Sequence, residues 1–279
     1  MIREAIEARY GAYTIDARWL LEFQHSMGNA ALRQLVERKQ SKEWDRPSGW
    51  KCELAKLYTK LSPESAEPIS MKSMMTFLYG DIVEAVSVLM ARAAGIDLRF
   101  TGNEQLTLKT VLNNGHPDGI VCDDVGAPVE LLEVKSMADY GFRLFQRGEW
   151  NDDGGYVAQA SAYTQAAFEQ GIILAPRYRV LAVNKLTLEI DDKLFDVDEQ
   201  ALSRRVAQRA QVAEATQLSD ITRPYAPKYC EGSTKAELPW QCGYCDYNKA
   251  CWGRDGFTIK TVKLGKRTAT LLEGGESAG

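Results

Sequence analysis

The sequence predicts an α/β protein, with a core of roughly 110 residues between a helical N-terminal region and a cysteine-bearing C-terminal region. Three observations carry this. Apolar residues recur at helical spacing through residues 1–45, 51–61 and 70–94, where Trp19, Leu20, Phe23, Leu32, Leu35 and Val36 mark the first stretch. After Gly95 the period changes to alternation, through Leu106, Leu108 and Thr110 and then the runs 116–123 and 128–136. Helical spacing returns at 156–170, before a further strand at 178–185.

The boundaries follow from local chemistry. Trp44 to Gly49, with Pro47, reads as a break. Ser62-Pro63 and Pro68 end the second helix, and Gly95 follows the third. Asp123-Asp-Val-Gly-Ala127 joins two strands, and Thr187 to Ile190 is expected to form another short one. Residues 198–218 are a charge-rich amphipathic helix, residues 224–256 are irregular, and the residues after Leu272 read as a loose tail. The expected organisation is a helical region at 1–69, a core at 70–195, and a helix plus cysteine region at 196–279.

The chain has 279 residues, 45% hydrophobic and 26% charged, with a formal net charge of −4. Those proportions suit a folded globular chain that needs no disulfides to hold its core. Net acidity excludes a globally basic nucleic-acid coat but not a nucleic-acid enzyme, whose field is local. No run approaches the roughly 18 apolar residues of a membrane span, and the mixed-charge start lacks a secretion signal. A cytoplasmic location and no membrane partner are therefore expected.

Six cysteines stand at Cys52, Cys122, Cys230, Cys242, Cys245 and Cys251. The last three form a C-x2-C-x5-C cluster, and thiolates this close call for a shared cation. A zinc ribbon would need a second C-x2-C pair, which the sequence lacks. Three clustered cysteines and one distant cysteine suit a four-iron cluster, with zinc the second choice. The distant ligand is Cys52 or Cys230. Cys52 is preferred because it opens a helix, where the dipole is expected to lower the thiol pKa. Cys122 reads as strand packing.

Another constellation lies in the segment from Gly115 to Lys135. A hairpin centred between Val125 and Gly126 pairs positions summing to 251, so Asp123 faces Pro128 and Asp118 faces Glu133. Lys135 shares the face of Glu133. Two adjacent carboxylates favour a hard divalent ion, Mg2+ or Mn2+, able to activate water and stabilise phosphate charge. Asp191-Asp-Lys193 matches the acidic-x-Lys pattern too, but reads as a solvated segment. Gln159 and Tyr163 stand at i and i+4 on one helix face. Glu84 lies inside an otherwise apolar helix and needs a partner or a metal.

Taken together these motifs resemble the PD-(D/E)XK nuclease superfamily, and more closely its RecB-like, CRISPR-associated and phage-type exonucleases with an iron–sulfur cluster. The resemblance runs from Cys52 through Gly80 to Glu84, Asp118, Glu133-Val-Lys135, Gln159 and Tyr163 to Cys242, Cys245 and Cys251. It implies a restriction-endonuclease-like core, a central mixed sheet flanked by helices, and a metal-dependent deoxyribonuclease of DNA recombination or repair. It also implies metal ligands at Glu84, Asp118 and Glu133, a catalytic Lys135, and support from Gln159 and Tyr163. The 4Fe-4S cluster on Cys52, Cys242, Cys245 and Cys251 would pin the chain's two ends together. The expected partner is single-stranded DNA or duplex ends, and a homo-oligomeric ring is the expected assembly if there is one. Glutamate at Glu84, where many iron–sulfur members carry histidine, points toward Mg2+.

Two rival readings remain: a DNA-end-binding or spacer-processing subunit with little turnover, and a cysteine-cluster redox protein. His25 reads as solvated, and His116 as a residue that could touch substrate. Tyr58, Tyr79, Tyr140 and Trp150 are candidate base-stackers. Arg204, Arg205, Arg209, Lys260, Lys263, Lys266 and Arg267 are candidate phosphate contacts.

Overall fold

In a computed structural model, residues 1–9, 11–12, 15–37, 52–150, 155–229, 235–264 and 267–274 are described. In chain order the elements are α1 (Ile2–Ala8), α2 (Ala17–Ala31) with a π-helical turn Leu32–Glu37, α3 (Glu53–Leu61), α4 (Met71–Ala93), β1 (Leu98–Arg99), β2 (Leu108–Thr110), β3 (Asn113–Gly115), β4 (Gly119–Cys122), β5 (Pro128–Met137), α5 (Asp139–Arg147), α6 (Tyr156–Glu169), β6 (Arg177–Asn184), β7 (Ile190–Asp196) and α7 (Glu199–Glu214). There follow β8 (Lys228–Tyr229), β9 (Ala236–Glu237), α8 (Trp240–Gly243), α9 (Asn248–Gly253), β10 (Phe257–Leu264) and β11 (Arg267–Gly274). The fold is α/β, with a mixed five-stranded sheet flanked by helices.

The described residues fall into two compact units, one holding 1–37 and 70–206, the other 52–69 and 207–274. In the first, the sheet runs β1-β4-β5-β6-β7, and only β5 with β6 is parallel. A parallel pair needs a crossover, supplied here by α5 and α6. Side-chain alternation divides the sheet cleanly. Leu131, Tyr178, Val180 and Ile120 pack on one face with Phe142, Phe145 and the alanine-rich α6. Leu132, Val134 and Leu181 pack on the other with α1 and with Val83, Val88 and Ala91 of α4.

The hairpin register sums to 251 from Gly119↔Leu132 to Val121↔Glu130, as the sequence predicts. A bulge then shifts it, so Cys122 rather than Asp123 faces Pro128. Asp123 instead shapes the turn: its Oδ1 accepts from Val125 N at 3.1 Å and Ala127 N at 2.8 Å, and Gly126 sits at φ +80°. That side chain-to-backbone bonding is what moves it out of the ladder.

Other departures are local. The run 116–123 is not one strand: Gly115 ends β3, and His116-Pro117-Asp118 links it to β4. Residues 185–187 form a turn, Leu188 follows at φ +62°, and the last sheet strand starts at Ile190. Asp192 is not solvated: its carboxylate is buried and accepts from Arg179 Nη1 at 2.6 Å. Helix α5, the strand β1 and the hairpin β10–β11 are additional to the expected elements, and β11 carries the chain in order past Leu272 to Gly274. The expected break at Trp44–Gly49, and Cys230, lie outside the described residues.

By length and composition alone α4 is long and apolar enough to cross a membrane. A count of uninterrupted apolar residues misses it because Asp81 and Glu84 punctuate the run.

The second unit has two small cores. Leu54, Leu57 and Tyr58 of α3 meet Val212, Ala215 and Tyr247, and Tyr58 stacks on Tyr247 at 5.4 Å. Ala236, Leu238, Trp252 and Leu272 form the other, beneath the sheet β10-β11-β9-β8. Lys60 Nζ donates to the carbonyls of Val212, Ala213 and Ala215, at 3.1, 2.6 and 2.8 Å, capping the end of α7.

In the first unit, Arg179 also donates to both oxygens of buried Glu130, at 2.7 and 3.0 Å. Removing one member of a buried ion network leaves the others uncompensated. Arg179→Ala is therefore expected to cost about 3–5 kcal/mol of unfolding free energy, read by urea denaturation; a loss under about 1 kcal/mol, the scale of a surface pair, would contradict it.

Candidate active site and cysteine pocket

The carboxylate site is built in the first unit by the β4–β5 hairpin. On β5, Leu131, Glu133, Lys135 and Met137 alternate onto the face covered by α6. Asp118 directly precedes β4, and its Oδ2 accepts from Val134 N at 2.7 Å, tying the carboxylate to β5 beside Glu133. Lys135 Nζ donates to Glu133 Oε1. Glu133 Oε2 is buried without a hydrogen-bond partner.

Helix α6 closes this face. Gln159 Nε2 donates to Tyr163 OH at 3.0 Å, and both side chains are buried. Tyr163 presses on the ribbon β2–β3 so closely that a Cβ on Gly115 would fall 2.0 Å from its ring. Lys135 Nζ lies 5.2 Å from the centre of the Tyr156 ring, a cation–π contact. From α4 comes Glu84, whose Oε1 accepts from Gln105 Nε2 at 3.0 Å.

The electrostatics tie these groups together. Burial, reinforced by Glu133 and Glu84, pushes the Asp118 carboxyl well above the usual carboxylate range, against the pull of Lys135 and the Val134 N–H. Burial, then Asp81 and Glu133, raises Glu84 to about 7. Burial works against the charge of Lys135, but Glu133 and Asp118 outweigh it and hold the ammonium protonated above the ordinary lysine range. Burial and the Glu133 carboxylate raise the Tyr163 phenol, keeping it neutral.

Among the described residues, no three His, Cys, Asp or Glu side chains converge closely enough to hold one metal ion. The orphaned Glu133 oxygen still suits a cation, since Mg2+ is commonly held by one or two carboxylates and keeps several waters. The donor set is all oxygen, the hard chemistry such ions take.

In the second unit, Cys52, Cys242, Cys245 and Cys251 line one small pocket with Tyr58 and Arg223. Cys52 caps the start of α3, yet its thiol is pushed up to about 12 rather than down. Burial is the dominant cause and outweighs the N–H groups of Ala55 and Leu54, so the expected dipole effect loses. Burial also raises Cys245 to about 12 and lifts Cys242. Arg223 Nε donates to Cys251 Sγ at 3.3 Å. Four soft sulfur donors around a largely apolar hollow suit a metal–thiolate group.

The remaining candidates scatter. Cys122 is buried in the sheet, as expected. His25 is exposed, and His116 is exposed with its Nδ1 3.2 Å from Leu106 O. Tyr58 and Trp150 belong to aromatic packing, Tyr79 OH donates to Lys185 O at 3.3 Å, and Tyr140 is exposed. Arg205 is buried, Arg204 exposed, and Lys260 pairs with Glu273. Lys266 and the Arg267 side chain lie outside the described residues.

Sequence reasoning missed Tyr156, Gln105, Gly115 and Arg223. Tyr156 had a signal, lying one turn before Gln159 on the same helix face. Gln105 sits in an irregular stretch, and no spacing rule points from it to Glu84.

No family model matches the chain, and no curated protein matches it. Among solved structures, LHK-Exo in complex with dAMP aligns over 70% of this chain and 90% of its own, at 11% identity and TM-score 0.38. SSO0001 aligns over 82% and 95%, at 12% identity and TM-score 0.40. Likenesses this distant leave the functional argument to the residues themselves.

The Glu84 shift yields a stability prediction. Its folded pKa of about 7 lies above the ordinary 4.5, so between those values the folded chain binds more protons than the unfolded one. Stability from this group is complete below pH 4.5 and is lost as pH rises through 7. Without divalent ions, Glu84→Gln should melt a few degrees higher than the parent at pH 8 and alike at pH 4.5. Melting curves across that range check it, and a pH-independent difference would contradict it.

Proposed function

We propose that this chain is a divalent-metal-dependent DNA exonuclease that hydrolyses phosphodiester bonds, and that its cysteine pocket holds an iron–sulfur cluster. The observation that carries the first part is Glu133: a buried carboxylate with Lys135 on one oxygen, no partner on the other, and Asp118 beside it. That leaves a buried, unpartnered acceptor in a site whose electrostatics already include a second carboxylate.

In this reading Asp118 and Glu133 would hold Mg2+ or Mn2+ with waters completing the shell, and Glu84 would add negative charge nearby rather than a third ligand. The ion would supply Lewis-acid stabilisation and an acidified water. The chain's own groups do the rest. Lys135, kept cationic by Glu133 and Asp118, offers positive charge to a scissile phosphate and a proton donor at Nζ. The Tyr156 ring restricts where that ammonium can sit. Gln105 orients Glu84 through Oε1. Gln159 and the neutral Tyr163 phenol wall the site and fix each other's polar atoms.

For the cysteine pocket, the preference for iron–sulfur over zinc rests on the cysteine pattern. Three clustered cysteines and one distant one line a common pocket, one thiolate for each iron of a four-iron cluster. The second C-x2-C pair of a zinc ribbon is missing from the sequence. Closing α3 against the segment near α9 gives such a cluster a structural role.

Two measurements test the proposal. On end-labelled single- and double-stranded DNA with Mn2+, the parent protein should release nucleotides. Glu133→Ala should abolish release, and Lys135→Ala should slow it on the order of 10²-fold or more. Strands bound but left intact would instead favour the end-binding subunit. Protein purified without oxygen should be brown and contain iron and sulfide, and a colourless preparation with one tightly bound zinc would overturn the cluster assignment.

A further inference from the structure

Arg223 is held at four points. Its Nε donates to Cys251 Sγ at 3.3 Å, its Nη2 donates to the Cys251 carbonyl, its Nη1 pairs with Asp255, and its guanidinium lies 4.3 Å from the centre of the Trp252 ring. A surface arginine that merely neutralised Asp255 would need only one of these. Here the planar fork is fully committed, and what it presents to the cavity is an N–H aimed at sulfur.

We infer that Arg223 is a positioning residue for the metal–thiolate group of the cysteine pocket, fixing Cys251 and facing the group's negative charge with a guanidinium. The inference rests on the proposed reading of that pocket and adds a residue to it. Its chemistry is direct. Four thiolates make any bound group anionic, more so after reduction, and an apolar cavity screens that charge poorly. A cation donating to one sulfur offsets it and withdraws electron density from the ligand, and hydrogen bonds to sulfur are among the levers that set cluster potentials. Trp252 sits behind the guanidinium, so the same contact that orients Arg223 shields it from water. Lysine could supply the charge but not the fork or the stack.

The test uses the full chain purified without oxygen, as the parent and as Arg223→Met and Arg223→Lys. Iron and zinc content, the rate of metal loss to an excess of bathophenanthroline disulfonate or pyridylazoresorcinol, and the midpoint potential by EPR-monitored titration are read. Arg223→Met should lose metal on the order of 10-fold faster, and any iron cluster it retains should have a lower potential. Arg223→Lys should lose metal faster than the parent but keep most of the potential. If Arg223→Met fails to fold, the lysine variant decides: faster loss supports the inference. Equal release rates and potentials in a loaded, folded variant would overturn it while leaving the pocket reading intact. A parent protein with neither iron nor zinc would sink the pocket reading and this inference together.

Discussion

The pairing of β4 with β5 is the constraint on which the carboxylate site depends. Side chains on a strand alternate faces, so a one-residue slip would turn Glu133 and Lys135 toward α4 and Leu132 toward α6. The chain guards against this at both ends. At the turn, Asp123 bonds two backbone N–H groups and Gly126 takes the left-handed conformation; beyond the other end of β4, the Asp118 carboxylate accepts from Val134 N. Between them Gly119 leaves no room for change, since a Cβ there would meet Thr101 at 2.8 Å and the Arg99 carbonyl at 3.3 Å. The bulge after Val121 absorbs the mismatch before it reaches Glu133.

That register places charge where the packing is otherwise apolar. The face covered by α6 holds Leu131, Ile120, Phe142 and Val180, yet Asp118, Glu133 and Lys135 share it. Burial cannot favour three charges there unless they compensate one another, and one ammonium does not balance three carboxylates once Glu84 is counted. The raised Asp118 and Glu84 are the consequence: the site makes up its missing positive charge with protons when nothing else supplies it. In the proposed reading a divalent ion takes the place of those protons.

How much of this was legible in the sequence differs by element. The register was, because a turn-forming Asp-Asp-Val-Gly between alternating apolar runs leaves few ways to fold back. The helix that follows Cys52 and the helices carrying Glu84 and Gln159 were as well, since apolar spacing marks each. Helix α5 was not, although Phe142 and Phe145 are spaced for a helix and Gly148 stops it; nine residues make a weak periodic signal. The strand Phe257–Leu264 has apolar residues at Phe257, Ile259, Val262 and Leu264, an alternation broken in the middle, and its lysines suggest phosphate contacts instead. The buried Asp192 shows why sequence misplaced a charge: its partner Arg179 lies on a neighbouring strand, and only the sheet brings them together. Cys52 shows the same for pKa, where local dipole and tertiary burial oppose each other and burial wins.

In the proposed reading the two units meet the same problem, storing metal-ligating groups in a folded interior, with opposite chemistry. A protonated carboxyl is still polar, and its ionised form is common at neutral pH, so the first unit must satisfy or neutralise it continuously through Lys135, Gln105 and Val134. A protonated thiol behaves as a small apolar group, so the second unit can bury Cys52 and Cys245 at little cost with their ionisation pushed up to about 12. The cost is deferred to loading. Each thiol must give up its proton before it can bind metal, and every proton released makes loading more favourable at higher pH. The carboxylate site resists filling less at Glu84, whose proton leaves at about 7. Arg223 is then the asymmetry that matters: it is a positive charge already in place beside the one sulfur it touches, before any metal arrives.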